Sequence, residues 1–494
     1  MTAATAAAAA PPPSTLIKGA FGFGAVATGV IETGFNYFLL IFYSQVIGLD
    51  ARLVGLAITI SLVIDVLTDP ALGFWSDNLR SRWGRRHPFL YASAVPVAVG
   101  YALLWMPPEG ASQQTLFWYL LAVSIVTRIA LSAYETPSSA LNPELTSDYD
   151  ERASLQGLRY FFGWSGGNVM TVAMFGVVFP LFVTAAIGNG QFNREAYVVY
   201  GYLAGGIALL AILVCAVGTH ARIPLMAPPP PSRRHTLASV FREMYETLAD
   251  RSFLALFVAA GLGAIATGLS ASLTFYFTTF FWGFSSGQVA VLTVGIFASA
   301  ALGAVLAPIA SRRLGKKRGA MIIGLVAFLG APLPILLRLA GMLPGNDDPS
   351  IFWLVLLTNT LDYGLIIAFQ ILTSAMIADL VEKAELRTGR RSEGVFFAAI
   401  FGIRKAVPAL GILASSFILA TAAFPKGAKA GEVSADTLWW LGAIYAPVIL
   451  ALWLSMMAVL SGYRLGRDDH ENNLRKLAEA RAAADLRPIT EDGR

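Results

Sequence analysis

Twelve apolar segments, each long enough to cross a lipid bilayer, follow one another along this chain. They fall at about Leu16–Ile47, Leu53–Trp75, Pro88–Met106, Thr115–Leu141, Leu155–Ile187 and Tyr197–Gly218, then Phe253–Trp282, Val289–Ala310, Ala320–Ala340, Ile351–Leu380, Val395–Ala423 and Leu438–Ser461. Lipid offers no partner to a bare backbone amide, so segments of this kind span as α-helices. The pattern predicts an all-α polytopic membrane protein with two pseudo-symmetric six-helix bundles, at 16–220 and 252–463. A cytoplasmic linker at 221–251 joins them, and tails at 1–15 and 464–494 flank them. With 56% of residues hydrophobic and 14% charged, a soluble domain of this length is excluded.

The Ala- and Pro-rich tail at 1–15 lacks a basic region and a cleavage site, so it reads as a disordered cytoplasmic extension. In the linker, Leu237, Val240, Phe241, Met244, Tyr245 and Leu248 keep helical spacing between charges, the pattern of a short helix lying on the membrane. The stretch around Leu474–Leu486 has a similar amphipathic character. Basic residues crowd alternate loops: Arg80, Arg82, Arg85 and Arg86, then Arg312, Arg313, Lys316, Lys317 and Arg318, then Lys383, Arg387, Arg390 and Arg391. The other loops hold little beyond Arg52, Arg194, Lys426 and Lys429, which puts both termini in the cytoplasm. The net charge of +5 reflects this asymmetry and not an affinity for nucleic acid.

Two aspartates, Asp65 and Asp69, stand one helical turn apart inside the second apolar segment. A carboxylate at that depth costs several kcal/mol unless it is paired, protonated or bound to a cation. Spacing i, i+4 puts both on one face, where two like charges call for a proton or a metal cation such as Na⁺. Pro70 leaves the carbonyl of Val66 without its helical donor, a further oxygen beside them. Other polar residues share the apolar segments. Glu32 and Asn36 share a face by i, i+4 spacing, and Arg128 and Glu135 share one by i, i+7. Intramembrane ionisable groups face the interior or water by default, so Glu32, Arg128 and Asp362 are pathway candidates.

Charged loops recur at matching places in the two halves. Asp77, Arg80, Arg82 and Arg85 after the second segment are echoed after the eighth, and Asp148 and Arg152 after the fourth are echoed by Asp379 and Arg387 after the tenth. Such a repeat suggests cytoplasmic gates, with a small-molecule substrate between the halves. The single cysteine, Cys215, excludes a disulfide framework and a Cys-based metal site. The four histidines, His87, His220, His235 and His470, fall at loops or tails without metal-pair spacing. With no Ser/His/Asp set and no phosphate loop, the expectation is a transporter that is not an enzyme, holds no cofactor and works as a monomer in contact with membrane lipid.

The ordered set of motifs resembles the major facilitator superfamily, and within it the glycoside–pentoside–hexuronide:cation symporters, the melibiose-permease-like proteins. The resemblance covers essentially the whole chain. It rests on Asp65-x3-Asp69-Pro70-x2-Gly73 continuing into Arg80-Ser81-Arg82-Trp83-Gly84-Arg85-Arg86-x-Pro88. Further matches are Gly22-Phe23-Gly24, Glu135-Thr136-Pro137, Arg159, and Glu393-Gly394-Val395 leading to Lys405. The resemblance implies cation-coupled symport by alternating access, driven by Na⁺ or H⁺ and carrying a glycoside, monosaccharide or uronic acid. It implies a cation site at Asp65, Asp69 and Glu135, to which Thr68 and Ser132 could add hydroxyl oxygens. Lys405 becomes the counter-charge exchanged when the cation arrives. Arg159 faces the sugar, Glu135 serves cation and substrate alike, and Glu32, Trp164 and Tyr134 are further substrate candidates.

The chain departs from galactoside-transporting members at two places, which argues against a galactoside. The acidic sugar ligand of the first helix falls on Gly29, and a fourth-helix tryptophan falls on Ser139. Related proteins with the same Asp-x3-Asp-Pro pattern carry lysophospholipids, the alternative substrate class. A transporter-like sensor that binds without flux is a third reading, against which the retained charge set argues.

Overall fold

The computed structural model describes residues 12–146, 148–225, 251–388, 403, 405, 407–429 and 431–463. Among the described residues there is no strand, and 11 helices are long and apolar enough to span. They are α1 (Thr15–Val46), α2 (Ala51–Asn78), α3 (His87–Leu104), α4 (Gln113–Leu145), α5 (Ser154–Leu181), α6 (Arg194–His220), α7 (Phe253–Phe281), α8 (Ser286–Leu314), α9 (Lys316–Leu339), α10 (Pro349–Ile377) and, last in the chain, Ala435–Ser461. A shorter apolar helix, α11 (Pro408–Thr421), stands in the eleventh place, so Ala435–Ser461 is α12. The linker helix expected at 237–248 and both tails lie outside the described residues, apart from the last residues before α1.

Side-chain caps set several of the helix starts. Ser14, Asp50, Ser112 and Asn193 each accept a backbone N–H at the head of α1, α2, α4 and α6, satisfying a donor that the first turn leaves open. Two expectations need correcting. Apolarity alone carried the fifth segment to Ile187, but the helix ends at Leu181, where Thr184 and Ile187 exchange backbone hydrogen bonds at 3.0 and 3.1 Å in a tight turn. His87 is not a loop residue: it opens α3, is fully buried, and pairs with Thr219 Oγ1 at 2.9 Å.

Packing divides the chain into two compact units. The first holds Met1–Arg233 together with Thr267–Val294 and Pro408–Leu441, and the second holds Arg234–Ala266, Gly295–Val407 and Gly442–Arg494. This grouping cuts across the halves 16–220 and 252–463, because the end of α7, the start of α8, all of α11 and the start of α12 group with the first six helices. In the first unit α1 and α5 cross closely enough that a side chain on Gly29 would overlap the backbone of Gly163. Phe275 of α7 inserts beside Phe38 of α1 and Phe175 of α5, with ring centroids 4.8 and 4.7 Å away. Widened π-type turns at Gly34–Phe38, Met174–Val178 and Phe277–Phe281 lie around this aromatic layer. Such turns recur at functional positions in helices. In the second unit, Phe328 of α9 stacks on Trp453 of α12 at 4.2 Å.

Candidate functional site

Three helices of the first unit bring opposite charges together at membrane depth. Asp65, on α2, is 2% exposed. Its Oδ1 accepts from Ser132 Oγ of α4 at 2.5 Å, and its Oδ2 lies 3.4 Å from Arg128 Nη1, one turn away on the same helix. The same Nη1 lies 3.2 Å from Glu32 Oε1 of α1. The Arg128 guanidinium packs over the Phe35 ring, 4.0 Å from its centroid, and the whole side chain is 1% exposed. Glu32 also accepts from Asn36 Nδ2 at 3.4 Å, the contact its spacing suggested. An arginine this deep requires anions, and α1 and α2 supply them.

The sequence puts Arg128 and Glu135 on one face of α4 by their i, i+7 spacing. Seven residues along a helix is about 10 Å of rise, which separates the two side chains, while α1 and α2 bring carboxylates to the arginine directly. Asp69 on α2 and Glu135 on α4 are both half-buried. Among the described residues no three of His, Cys, Asp and Glu converge as a metal site. Asp65 is turned to Ser132 and Arg128, while Asp69 and Glu135 stand farther along α2 and α4. Thr68 donates its hydroxyl hydrogen to the Asp65 carbonyl at 2.8 Å, which leaves only its lone pairs for a cation. Lys405 belongs to the second unit and is half-buried there.

Arg159, on α5, is 7% exposed. It donates from Nη1 to Ser138 Oγ at 3.2 Å and from Nη2 to Ser139 Oγ at 3.1 Å, and lies 5.1 Å from the Phe21 ring centroid. Ser139, where the resemblance would place tryptophan, thus anchors the arginine. Trp164 remains 40% exposed on α5. Tyr134 is corrected as a stacking platform. It is fully buried, and its hydroxyl sits beside Cys215 where Gly24 leaves room, so it packs the seam of α1, α4 and α6.

The loop residues expected to form gates are knitted into the first unit. Arg86 pairs with Asp77, reaches Ser76 Oγ at 2.7 Å and shares Glu144 Oε1 with Arg85, at 3.0 and 2.8 Å. The sequence reading did not single out Glu144, which follows the fourth apolar segment as Asp148 and Arg152 do. Asp148 caps the helix that leads into α5, accepting from Glu151 N at 2.8 Å, and Arg152 Nε donates to the Thr146 carbonyl at 2.9 Å. These are local closures. Arg80 and Arg82 are exposed, with Arg82 against the Trp83 ring at 5.7 Å. The side chains of Asp379 and Arg387 lie outside the described residues.

The opposite end of this unit, away from the basic loops, carries contacts that sequence reasoning missed. Tyr276 of α7 hydrogen-bonds Ser44, and Gln45 Nε2 lies 3.4 Å from the same hydroxyl. Ala428 N donates to Gln45 Oε1 at 3.0 Å, Lys426 Nζ lies 3.3 Å from Asp50 Oδ2, and Thr59 Oγ1 donates to the Ala409 carbonyl at 3.1 Å. Thr279 Oγ1 donates to Gln191 Oε1 at 2.8 Å. These bonds join residues that precede position 200 to residues that follow position 270, a distance in sequence that no local pattern reveals. A cleft of about 210 Å³ lies among Gln45, Asp50, Arg52, Phe424 and Lys426. The Arg52 side chain, with Lys426 behind it, pulls the Asp50 carboxyl down to about 2.

Comparison with known proteins adds a lineage. The sequence model of the MFS/sugar transport protein family matches residues 20–467. An uncharacterized symporter of Synechocystis is 24% identical over 94% of this chain and 96% of its own length. The isoprimeverose transporter of Lactiplantibacillus pentosus is 24% identical over 77% of this chain and 75% of its own. The crystal structure of the nucleoside transporter NupG superposes with a TM-score of 0.59 at 14% identity, covering 90% of this chain and 100% of that one, a likeness of fold alone.

Proposed function

This chain belongs to the MFS/sugar transport protein family, in its glycoside–pentoside–hexuronide:cation symporter branch, and we propose that it couples Na⁺ or H⁺ to uptake of a glycoside, monosaccharide or uronic acid. The family is one of integral membrane transporters and not of enzymes. The observation that carries the reading is Asp65, a carboxylate buried at membrane depth between Ser132 and Arg128. A charge at the bilayer centre costs about 3 kcal/mol even on the gentlest scale, so it is kept where a cation or proton must be handled. Asp69 of α2 and Glu135 of α4, both half-buried, complete the proposed cation site, and Lys405 is its proposed counter-charge. Arg159, with its fork held by two serine hydroxyls, is the proposed substrate anchor, since a planar guanidinium bridges adjacent hydroxyls or grips a carboxylate.

Transport proceeds by alternating access, with both termini cytoplasmic and Phe21–Gly218 rocking against Phe253–Ser461. The bonds from Ser44, Gln45, Asp50 and Thr59 then form an extracytoplasmic closure that must open to admit substrate. A thermal-stability matrix on the purified protein tests the reading: sugars, uronic acids and lysophospholipids, each in sodium and in choline buffer at two pH values. A sugar or uronic acid that stabilises more with Na⁺, or at one pH, supports it through linkage. The ion's effect should vanish in Asp69→Asn. Stabilisation by lysophospholipid alone would move the protein to a lipid substrate.

A further inference from the structure

We propose that Arg128 is a tethered cation that masks Asp65 and releases it to the coupling ion by moving onto Glu32. The inference rests on the cation-coupled reading above and specifies how its site is controlled. One nitrogen, Arg128 Nη1, is shared between Asp65 Oδ2 at 3.4 Å and Glu32 Oε1 at 3.2 Å. Charge-assisted hydrogen bonds close to about 2.7–2.9 Å when committed, so the guanidinium is committed to neither carboxylate. Its Nε and Nη2 are buried without a hydrogen-bond acceptor, leaving donors that a small shift can employ. The Phe35 face under the guanidinium holds its plane while allowing it to slide between the two acids.

The two acids differ in setting. The Asp65 side chain is 2% exposed, whereas that of Glu32 is 36% exposed, so Glu32 is the more accessible of the two acceptors. One guanidinium neutralises one carboxylate, and an uncompensated buried charge is costly. A cation arriving at Asp65 repels Arg128, whose other anion is Glu32. Ion binding at Asp65 and closure of the Arg128–Glu32 pair are therefore the same event, and each favours the other. Asp69 and Glu135, the half-buried acids of α2 and α4, keep the region attractive to a cation throughout. Arg128 is a positioning residue in this scheme, since it acts through Asp65.

The test is an ion titration of thermal stability with NaCl, LiCl or acidification, against choline chloride at matched ionic strength. Glu32→Gln removes the resting place of Arg128, locks it on Asp65, and raises the half-effective ion concentration by about tenfold. Arg128→Gln unmasks Asp65 and lowers it by a similar factor. The double variant Glu32→Gln with Arg128→Gln behaves like Arg128→Gln alone, and Arg128→Lys stays near the parent protein. A purely structural salt bridge would lower the melting temperature in both single variants and leave the ion dependence untouched, which overturns the proposal. If Arg128→Gln does not fold, Glu32→Gln and Glu32→Asp still decide, because only the former deletes the second anion. A parent protein indifferent to every ion sinks the coupled reading itself, whereas an ion-sensitive parent with unshifted variants sinks this inference alone.

Discussion

Adding a side chain at Gly55 should drive the protein out of the conformation described here. Gly55 lies where α2 meets α11: a β-carbon there would overlap the Ser416 hydroxyl, lie 2.8 Å from Ser416 Cβ and come within 3.5 Å of the Ile412 carbonyl. Ser416 is fully buried, so neither it nor the α11 backbone can turn away. Overpacking of a filled interface costs about 1–3 kcal/mol, and here the strain is confined to the closed state because separation of α2 from α11 relieves it. At about 1.4 kcal/mol per tenfold, Gly55→Val should shift the ratio of open to closed forms by roughly 5- to 150-fold. The chain's one cysteine, Cys215, is buried, so a reporter cysteine reads cleanly. Ala428 suits the purpose. It is 8% exposed and contacts Gln45 through its backbone, leaving its side chain free to change. Labelling of Ala428→Cys by an impermeant maleimide should accelerate by that factor when Gly55→Val is added. A variant that merely melts earlier, with labelling unchanged, would refute the idea that this contact is a gate.

Glu144→Gln should destabilise by roughly 3 kcal/mol, read as a lower melting temperature, because it strips the shared carboxylate from two largely buried arginines, Arg85 and Arg86. Arg82→Ala, at an exposed position, should change stability little. Arg159→Lys should fold but bind substrate about tenfold more weakly in uptake assays, since an ammonium cannot span Ser138 and Ser139 while presenting a fork. Asp50 carries a lowered carboxyl, about 2 in the fold against an ordinary value near ~3.9. A depressed acid lends stability that is complete above its unfolded value and is lost as pH falls through its folded one. Asp50 is therefore ionised throughout the neutral range. Asp50→Asn should leave the shape of the uptake profile between about pH 5 and 8 unchanged while weakening closure at Lys426.

Hydropathy reveals the spans because lipid imposes helices on long apolar runs, and Asp65 and Asp69 stand out because a charge in such a run is costly. What joins one helix to another is not written in spacing. Arg128 shares a face with Glu135 by spacing, yet the packing of α1 and α2 against α4 hands it Glu32 and Asp65. Charges of both signs in three apolar segments, Glu32, Asp65 and Arg128, were a signal that could have suggested the cluster, though not its pairing. Tyr134 has the composition of a sugar platform and the burial of a core residue, and only packing distinguishes the two. Ser44, Gln45 and Thr59 drew no attention as isolated polar residues, since their partners on α7 and near α11 lie hundreds of positions away. The loop of Arg80, Arg82, Arg85 and Arg86 was legible as basic, but its closure on Glu144 depends on the short helical turn that ends α4.

Gradient-driven uptake in proteoliposomes tests the central claim most directly. The purified protein is reconstituted and offered radiolabelled glycosides, pentoses, hexoses and uronic acids under an inward Na⁺ gradient, an inward proton gradient, or neither. Coupled symport predicts that at least one of these solutes accumulates above its external concentration under one gradient, collapses to equilibrium when an ionophore dissipates it, and fails to accumulate in Asp69→Asn. Uptake that merely equilibrates under every gradient, at the same rate in Asp69→Asn, would contradict the account.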